Sequence, residues 1–175
     1  MIKVLCAGDS ITFGYLLNTN YSLILQDLLG GNYQVMNTSM VGITAYDYKN
    51  MEIYKQGLHF NPDIVILMFG SNDSNLDYYI AADYFKQYYS SLIDSYKARV
   101  ILCTPTYAFE ENYGVNKHNL KQIVKSIFEI GKEKHLDVID FYSMSQSHPE
   151  WFDMDGVHPN VDGQRQMALR IYETI

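Results

Sequence analysis

Short apolar runs alternate with longer helical patterns along this chain of 175 residues. The runs are partly β-branched and bounded by Gly, Pro, Asn or Asp, as buried strands are. They cover residues 4–7, 34–36, 64–69, 100–103 and 138–141. The helical patterns cover residues 21–29, 45–56, 80–96, 119–134 and 161–172. This alternation predicts an α/β fold, in which a parallel sheet carries helices on both faces.

The expected architecture is a three-layer, flavodoxin-like fold with five parallel strands in the order 2-1-3-4-5. The sequence contains no internal repeat, low-complexity segment or linker-like stretch, so residues 1–175 are predicted to form a single domain. Ligands of such sheets bind beyond the carboxyl ends of the strands, near the point where the strand order reverses. We therefore look for chemistry in the loops that follow the strands.

The charge balance excludes some classes of partner. The chain has 13 basic and 20 acidic residues, a net charge of −7, and no cluster of Lys and Arg that would bind phosphates. Nucleic acid and anionic membrane surfaces are therefore not expected partners. The N-terminal apolar run is too short for a signal peptide, and no window is apolar enough to span a membrane, so a cytoplasmic protein is expected.

The two cysteines also carry no special chemistry. Cys6 and Cys103 each lie inside an apolar run, and their spacing matches neither a disulfide framework nor a zinc site. We interpret them as reduced thiols in the core. We expect no cofactor and no metal ion, and the sequence does not indicate an oligomeric state.

Four polar clusters follow predicted strands or lie late in the chain. They are Gly8-Asp9-Ser10, Asn37 to Gly42, Gly70 to Asp73, and Asp155 to His158. In a doubly wound sheet, all four would converge at the same edge. Their residue types suit acyl transfer, because a serine nucleophile needs a histidine base and the base needs a carboxylate to hold its tautomer. Ser10, His158 and Asp155 supply these three groups.

The same clusters contain donors for an oxyanion. A tetrahedral intermediate needs two or three preorganised N–H groups. The backbone N–H groups of Ser10 and Gly42 and the side-chain amide of Asn72 are the candidates. Glycine suits the second position because a backbone donor must approach the substrate without an intervening Cβ.

At these residues the sequence resembles the GDSL-type hydrolases, a family also called SGNH after its Ser, Gly, Asn and His. The resemblance rests on Gly8-Asp9-Ser10, Gly42 in an Asn-x-Ser-x-x-Gly stretch, Gly70-x-Asn72-Asp73, and Asp155-x-x-His158. It implies a metal-free esterase with Ser10 as nucleophile, His158 as base and Asp155 as the orienting carboxylate. It also implies oxyanion donors at Ser10, Gly42 and Asn72. The usual leucine after the serine is Ile11 here, a conservative departure.

Other readings of these residues compete. His148 also precedes a proline, but the residue three positions before it is Ser145, whereas His158 has Asp155 there. Asp9 and Asp73 are interpreted as structural carboxylates that bind loop N–H groups. Gly8-Asp9-Ser10 lacks the glycine spacing of a nucleotide-binding loop, which disfavours nucleotide binding.

The predicted function is a serine esterase acting on a small ester. The loops are short apart from residues 107–117 and 143–154, which indicates an open site and a short acyl group, acetyl above all, on an alcohol such as a sugar. A lysophospholipase or thioesterase is the alternative, and an acyltransferase or an inactive binding module on the same scaffold stays open. The loop aromatics that could contact a substrate are Tyr15, Tyr46, Tyr107 and Phe109.

Overall fold

The computed structural model describes residues 1–77 and 81–175. Its five strands are β1 (Ile2–Gly8), β2 (Tyr33–Ser39), β3 (Ile64–Met68), β4 (Arg99–Cys103) and β5 (Asp137–Ile139). They form one sheet in the order β2-β1-β3-β4-β5, and every neighbouring pair is parallel. The predicted fold class and strand order are confirmed.

Helices surround this sheet. The described α-helices are α1 (Ser10–Phe13), α2 (Tyr21–Leu29), α3 (Ala45–Tyr48), α4 (Glu52–Phe60), α5 (Ala82–Ile93), α6 (Lys117–Lys134), α7 (Phe141–Gln146) and α8 (Val161–Tyr172). Short 3₁₀ turns cover Asn72–Ser74, Asn112–Gly114 and Pro149–Trp151. Polar side chains cap several helices, and Asn20 and Asn160 do so for α2 and α8.

Helices cover the sheet on both faces, and successive strand residues point to opposite sides, so that each strand supplies residues to two buried clusters. In β1, Leu5 and Ala7 join the cluster formed with α3, α4, α5 and α6. Val4 and Cys6 join the cluster formed with α1, α2, α7 and α8. Both faces therefore need apolar residues, which explains why the strands read as continuous apolar runs. Because the faces of the sheet are occupied by packing, the polar loops that follow the strands are where a functional site can form.

The predicted single helix over residues 45–56 is wrong. The chain forms α3 and α4 instead, separated by a turn in which the Asn50 and Met51 N–H groups donate to Asp47 and Tyr48. Tyr48 and Tyr54 are both buried in one cluster, with ring centroids 5.7 Å apart. Residues six apart in a continuous helix are rotated by about 120° from each other, so the break lets both rings reach the core.

The other differences concern element boundaries. The fifth strand ends at Ile139 rather than residue 141, because Asp140 accepts a hydrogen bond from the Ser143 N–H and begins α7. The helix predicted over 80–96 is described as Ala82–Ile93, and residue 80 lies outside the described residues. Cys6 and Cys103 are free and fully buried, which confirms their interpretation as core thiols. No helix within 1–77 and 81–175 is long and apolar enough to span a membrane.

Candidate active site

Ser10 is placed by the junction between β1 and α1. Gly8 ends the strand, and a Cβ there would lie 2.6 Å from the Met68 carbonyl oxygen, so the tight packing requires glycine. Asp9 then caps α1 by accepting a hydrogen bond from the Ile11 N–H at 3.0 Å. Ser10 is therefore the first residue of a helix that begins directly at the carboxyl end of a central strand.

Asp155 and His158 belong to one turn, which the aspartate organises. The Asp155 Oδ1 atom accepts hydrogen bonds from the Val157 N–H at 2.8 Å and the His158 N–H at 2.9 Å. Its Oδ2 atom lies 2.8 Å from His158 Nδ1. Partial burial works to raise the pKa of Asp155, but these hydrogen bonds outweigh it and hold the pKa below its ordinary value. Asp155 is therefore an ionised acceptor beside the ring.

The turn also brings His158 to Ser10. His158 Nε2 lies 2.9 Å from Ser10 Oγ, and both residues are buried. Asp155, His158 and Ser10 thus form one hydrogen-bonded line across 148 residues of sequence separation. With Nδ1 donating to Asp155, the free Nε2 lone pair faces the serine hydroxyl, which is the arrangement needed for proton removal.

Gly42 and Asn72 lie on the same cavity as Ser10. Gly42 has a φ of 76°, in the left-handed region that favours glycine. One N–H of the Asn72 amide donates to the Ile43 carbonyl at 2.9 Å, and no described residue accepts its second N–H. That bond fixes the Asn72 amide next to the loop that carries Gly42, so the two candidate donors are held close to each other.

The cavity has a volume of about 310 Å³ and is open to solvent. Ser10, Gly42, Asn72 and His158 line it, and Asp155 lies behind the imidazole. The structure therefore brings together the predicted nucleophile, base, orienting carboxylate and oxyanion donors. No cluster of three or more His, Cys, Asp or Glu side chains within the described ranges is arranged to hold a metal ion.

Residues 6–166 match the model of the GDSL-like lipase/acylhydrolase family. The chain belongs to this family. A lipase/acylhydrolase from Enterococcus faecalis is 31% identical, with a TM-score of 0.87 over all of this chain and 95% of that one. The membership of the GDSL-type hydrolases predicted from the sequence is thus confirmed, and the matching family is one of lipases and acylhydrolases.

Two acetylxylan esterases are also similar to this GDSL-family chain. One from Xylanibacter ruminicola is 27% identical across 95% of the chain, which spans only 42% of that relative's length. A structure of an acetyl xylan esterase from Geobacillus stearothermophilus is 23% identical and has a TM-score of 0.80. It covers 98% of this chain and 93% of that one, and at this identity it supports the fold alone.

Two further carboxylates lie beneath the site. Asp9 and Asp73 are nearly fully buried. Burial raises the pKa of Asp9 to about 7, and the nearby Asp73 charge adds to the increase. Burial likewise raises the pKa of Asp73 to about 6, although Tyr88 and the Ala45 N–H donate hydrogen bonds to it. Their bonds to loop backbone and to a phenol agree with the structural interpretation of both residues.

The rival histidine, His148, lies away from the cavity. Its Nδ1 atom is 2.7 Å from Glu150 Oε1, its ring stacks on Trp151, and 41% of its side chain is exposed. No described serine lies within hydrogen-bond distance of its ring. The sequence argument that preferred His158 therefore agrees with the geometry.

The predicted loop aromatics divide into two groups. Tyr15 lines the cavity, with its ring centroid 4.7 Å from that of His158. Tyr46 packs on Tyr88 instead, and the other two predicted aromatics pack with each other in the 107–117 loop. Sequence reasoning missed Tyr113, which also lines the cavity and contacts the His158 ring. The one available signal was its position in the unusually long 107–117 connection.

Proposed function

We propose that this GDSL-family chain is a serine esterase that hydrolyses small esters with short acyl groups. The observation that carries the proposal is the line from Asp155 through His158 to Ser10, with contacts of 2.8 and 2.9 Å, at the wall of an open cavity. Nucleophile, base and orienting group are each within hydrogen-bond reach of the next, as this chemistry requires.

The first half of the reaction forms an acyl-enzyme. Ser10 Oγ attacks the ester carbonyl carbon while His158 Nε2 takes the hydroxyl proton. Asp155, ionised because its pKa is held low, stabilises the imidazolium that results. The tetrahedral intermediate then collapses, the bond to the alcohol oxygen breaks, and His158 returns its proton to that oxygen.

The former carbonyl oxygen carries a negative charge in the tetrahedral intermediate and requires hydrogen-bond donors around it. The Ser10 and Gly42 backbone N–H groups and the second N–H of Asn72 are available there. The bond from Asn72 to the Ile43 carbonyl orients the amide in advance, so little reorganisation accompanies the reaction. One such donor commonly lowers the barrier by about 3 kcal/mol.

Water completes the cycle by the same route in reverse. His158 takes a proton from water, the resulting hydroxide attacks the acyl carbon, and the acid leaves as Ser10 Oγ regains its proton. No external redox partner is needed, because every bond change is a transfer of an acyl group or a proton. One histidine thus serves as base and acid in both halves.

A short acyl group agrees with the size of the cavity. Its volume of about 310 Å³ is near the lower end of ligand pockets, which commonly span about 300–1,000 Å³. A similar protein from Xylanibacter ruminicola is named an acetylxylan esterase, and an acetyl group is small enough for a cavity of this size. We therefore extend the proposal to acetyl esters as the preferred substrates.

A panel of p-nitrophenyl esters tests the proposal. The acetate should be hydrolysed fastest, the butyrate more slowly, and the octanoate and dodecanoate least. Ser10→Ala should lose activity by about 10⁴-fold or more while keeping its fold, which circular dichroism checks. Undiminished turnover in Ser10→Ala would overturn the mechanism, and preference for the dodecanoate would overturn the acyl-length assignment in favour of a lipolytic enzyme.

A further inference from the structure

Two tyrosines form an aromatic corner beside His158. The Tyr15 ring centroid lies 4.7 Å from the imidazole centroid, and the Tyr113 centroid lies 5.1 Å from it. The two phenol rings meet edge to face at 6.0 Å. Both line the cavity that holds Ser10, although they come from segments almost 100 residues apart.

Tyr113 occupies its place in an unfavourable backbone conformation. Its φ of 55° and ψ of 25° lie in the left-handed region, which bulky residues rarely adopt. The residue is 54% exposed, so burial of the ring in the core does not account for this conformation. Strained backbone at a non-glycine residue that borders a reactive group points to a role for the side chain.

The segment carrying Tyr113 is fastened to the turn that carries His158. The Asn112 side-chain amide donates to the Asp155 carbonyl oxygen at 2.7 Å, and the Phe109 N–H donates to the Gly156 carbonyl oxygen at 2.7 Å. On the other side, the Tyr15 N–H donates to the Ser10 carbonyl oxygen at 3.1 Å. These bonds therefore hold the two tyrosines in fixed positions beside the reacting groups.

The chemistry of ester cleavage defines which part of the substrate meets this corner. When the intermediate collapses, His158 Nε2 gives its proton to the departing alcohol oxygen, so that oxygen lies within hydrogen-bond reach of Nε2. The alcohol part of the ester therefore lies along the imidazole ring. Tyr15 and Tyr113 are the aromatic side chains that contact that ring from the cavity side.

We propose that Tyr15 and Tyr113 form the binding subsite for the alcohol part of the ester and select alcohols that contain a ring, such as a pyranose or a benzyl group. This inference rests on the proposed esterase function. Flat aromatic faces gain contact area from a ring that a short linear alcohol does not offer.

The test compares esters that share an acetyl group and differ in the alcohol. Benzyl acetate and an O-acetylated methyl pyranoside carry rings, and ethyl acetate does not. The variant is Tyr113→Asn, because asparagine tolerates the left-handed backbone while removing the ring. Tyr113→Phe keeps the ring, and Tyr46→Ala is the matched control, since Tyr46 is also 54% exposed but does not line the cavity.

Tyr113→Asn should lower kcat/KM for at least one of the two ring esters by about 3- to 10-fold, through KM, and change that for ethyl acetate by less than about twofold. The arm that responds tells whether the subsite prefers a sugar or an aryl ring. Tyr113→Phe and Tyr46→Ala should both retain the wild-type preference for that ring ester.

Equal effects of Tyr113→Asn on all three esters, or no effect on any, would overturn the subsite while leaving the esterase proposal intact. An active Ser10→Ala enzyme, or a wild-type protein that hydrolyses no ester, would contradict the proposed function itself. Thermal unfolding of each variant shows that losses are not due to misfolding, and Tyr15→Leu provides a second variant from the other segment.

Discussion

Two histidine–carboxylate pairs lie ten residues apart in this chain and differ in their surroundings. His158 Nδ1 lies 2.8 Å from Asp155, and His148 Nδ1 lies 2.7 Å from Glu150. Both histidines precede a proline. The side chains of the first pair are 6% and 13% exposed, whereas those of the second are 41% and 63% exposed.

The difference lies in what the second ring nitrogen meets. His158 Nε2 faces the Ser10 hydroxyl inside a cavity, whereas the His148 ring stacks on Trp151 at the surface. A carboxylate beside an imidazole is thus not sufficient for a reactive site. Burial, which strengthens each electrostatic contact, and a positioned hydroxyl are the additional requirements.

Exchanging each histidine for alanine gives the largest expected contrast. His158→Ala removes the only hydrogen-bond partner of the Ser10 hydroxyl among the described residues, so turnover of p-nitrophenyl acetate should fall by about 10⁴-fold or more. His148→Ala should keep activity within about twofold of wild type, because its ring does not line the cavity. Inactivity of His148→Ala together with activity of His158→Ala would reverse the assignment.

Replacement of the carboxylate in each pair should give the next largest difference in kcat. Asp155→Asn presents an amide to Nδ1, which favours the tautomer with its proton on Nε2, so kcat should fall by about 10³- to 10⁴-fold. Glu150→Gln changes an exposed contact and should leave kcat within about twofold. Steady-state kinetics of both variants decide the point, and equal losses would show that the Asp155 contact has no special role in turnover.

Asp9 sharpens the comparison because it is a carboxylate buried without an imidazole. Its pKa is raised from 3.8 to about 7, so the folded state holds a proton that the unfolded chain has released, and this costs stability as the pH rises through that window. Asp9→Asn keeps the acceptor for the Ile11 N–H. Relative to wild type, its unfolding free energy should rise by about 2 to 3 kcal/mol between about pH 5 and about pH 8.

Asp155 provides a control, because its pKa shift and its effect on the pH dependence of stability are opposite to those of Asp9. Its pKa is lowered, so its stabilising contribution is present at neutral pH and is lost as the pH falls below about 4. Urea unfolding of wild type, Asp9→Asn and Asp155→Asn across this range measures both effects. A wild-type-minus-Asp9→Asn difference that does not change with pH would show that Asp9 ionises normally in the folded protein.

Much of the fold was predictable because its signals are local. Each buried strand needs apolar residues on both faces, and each helix needs a periodic apolar stripe, so the alternation showed the layers directly. The break between α3 and α4 was not predictable, because it depends on Tyr48 and Tyr54 packing into one cluster, a tertiary requirement. Asp140 could have signalled the start of α7, since it is a typical capping residue.

The site residues were predictable for a different reason. Ser10, Gly42 and Asn72 follow strands whose carboxyl ends meet in any sheet of this order, and Asp155 reaches His158 within one turn. Tyr113 was not predictable, because its approach to His158 depends on how the 107–117 segment is fastened to the Asp155 turn. Contacts between two long loops leave no periodic signal in the sequence.

The rate and position of labelling by a fluorophosphonate probe test the central claim most directly, because such a probe reacts with a serine only where a base activates it. Wild type and His148→Ala should be labelled at Ser10 at similar rates, as located by peptide mass spectrometry. Labelling should be absent in Ser10→Ala and slowed by orders of magnitude in His158→Ala. Labelling of another serine, or an undiminished rate in His158→Ala, would contradict the account.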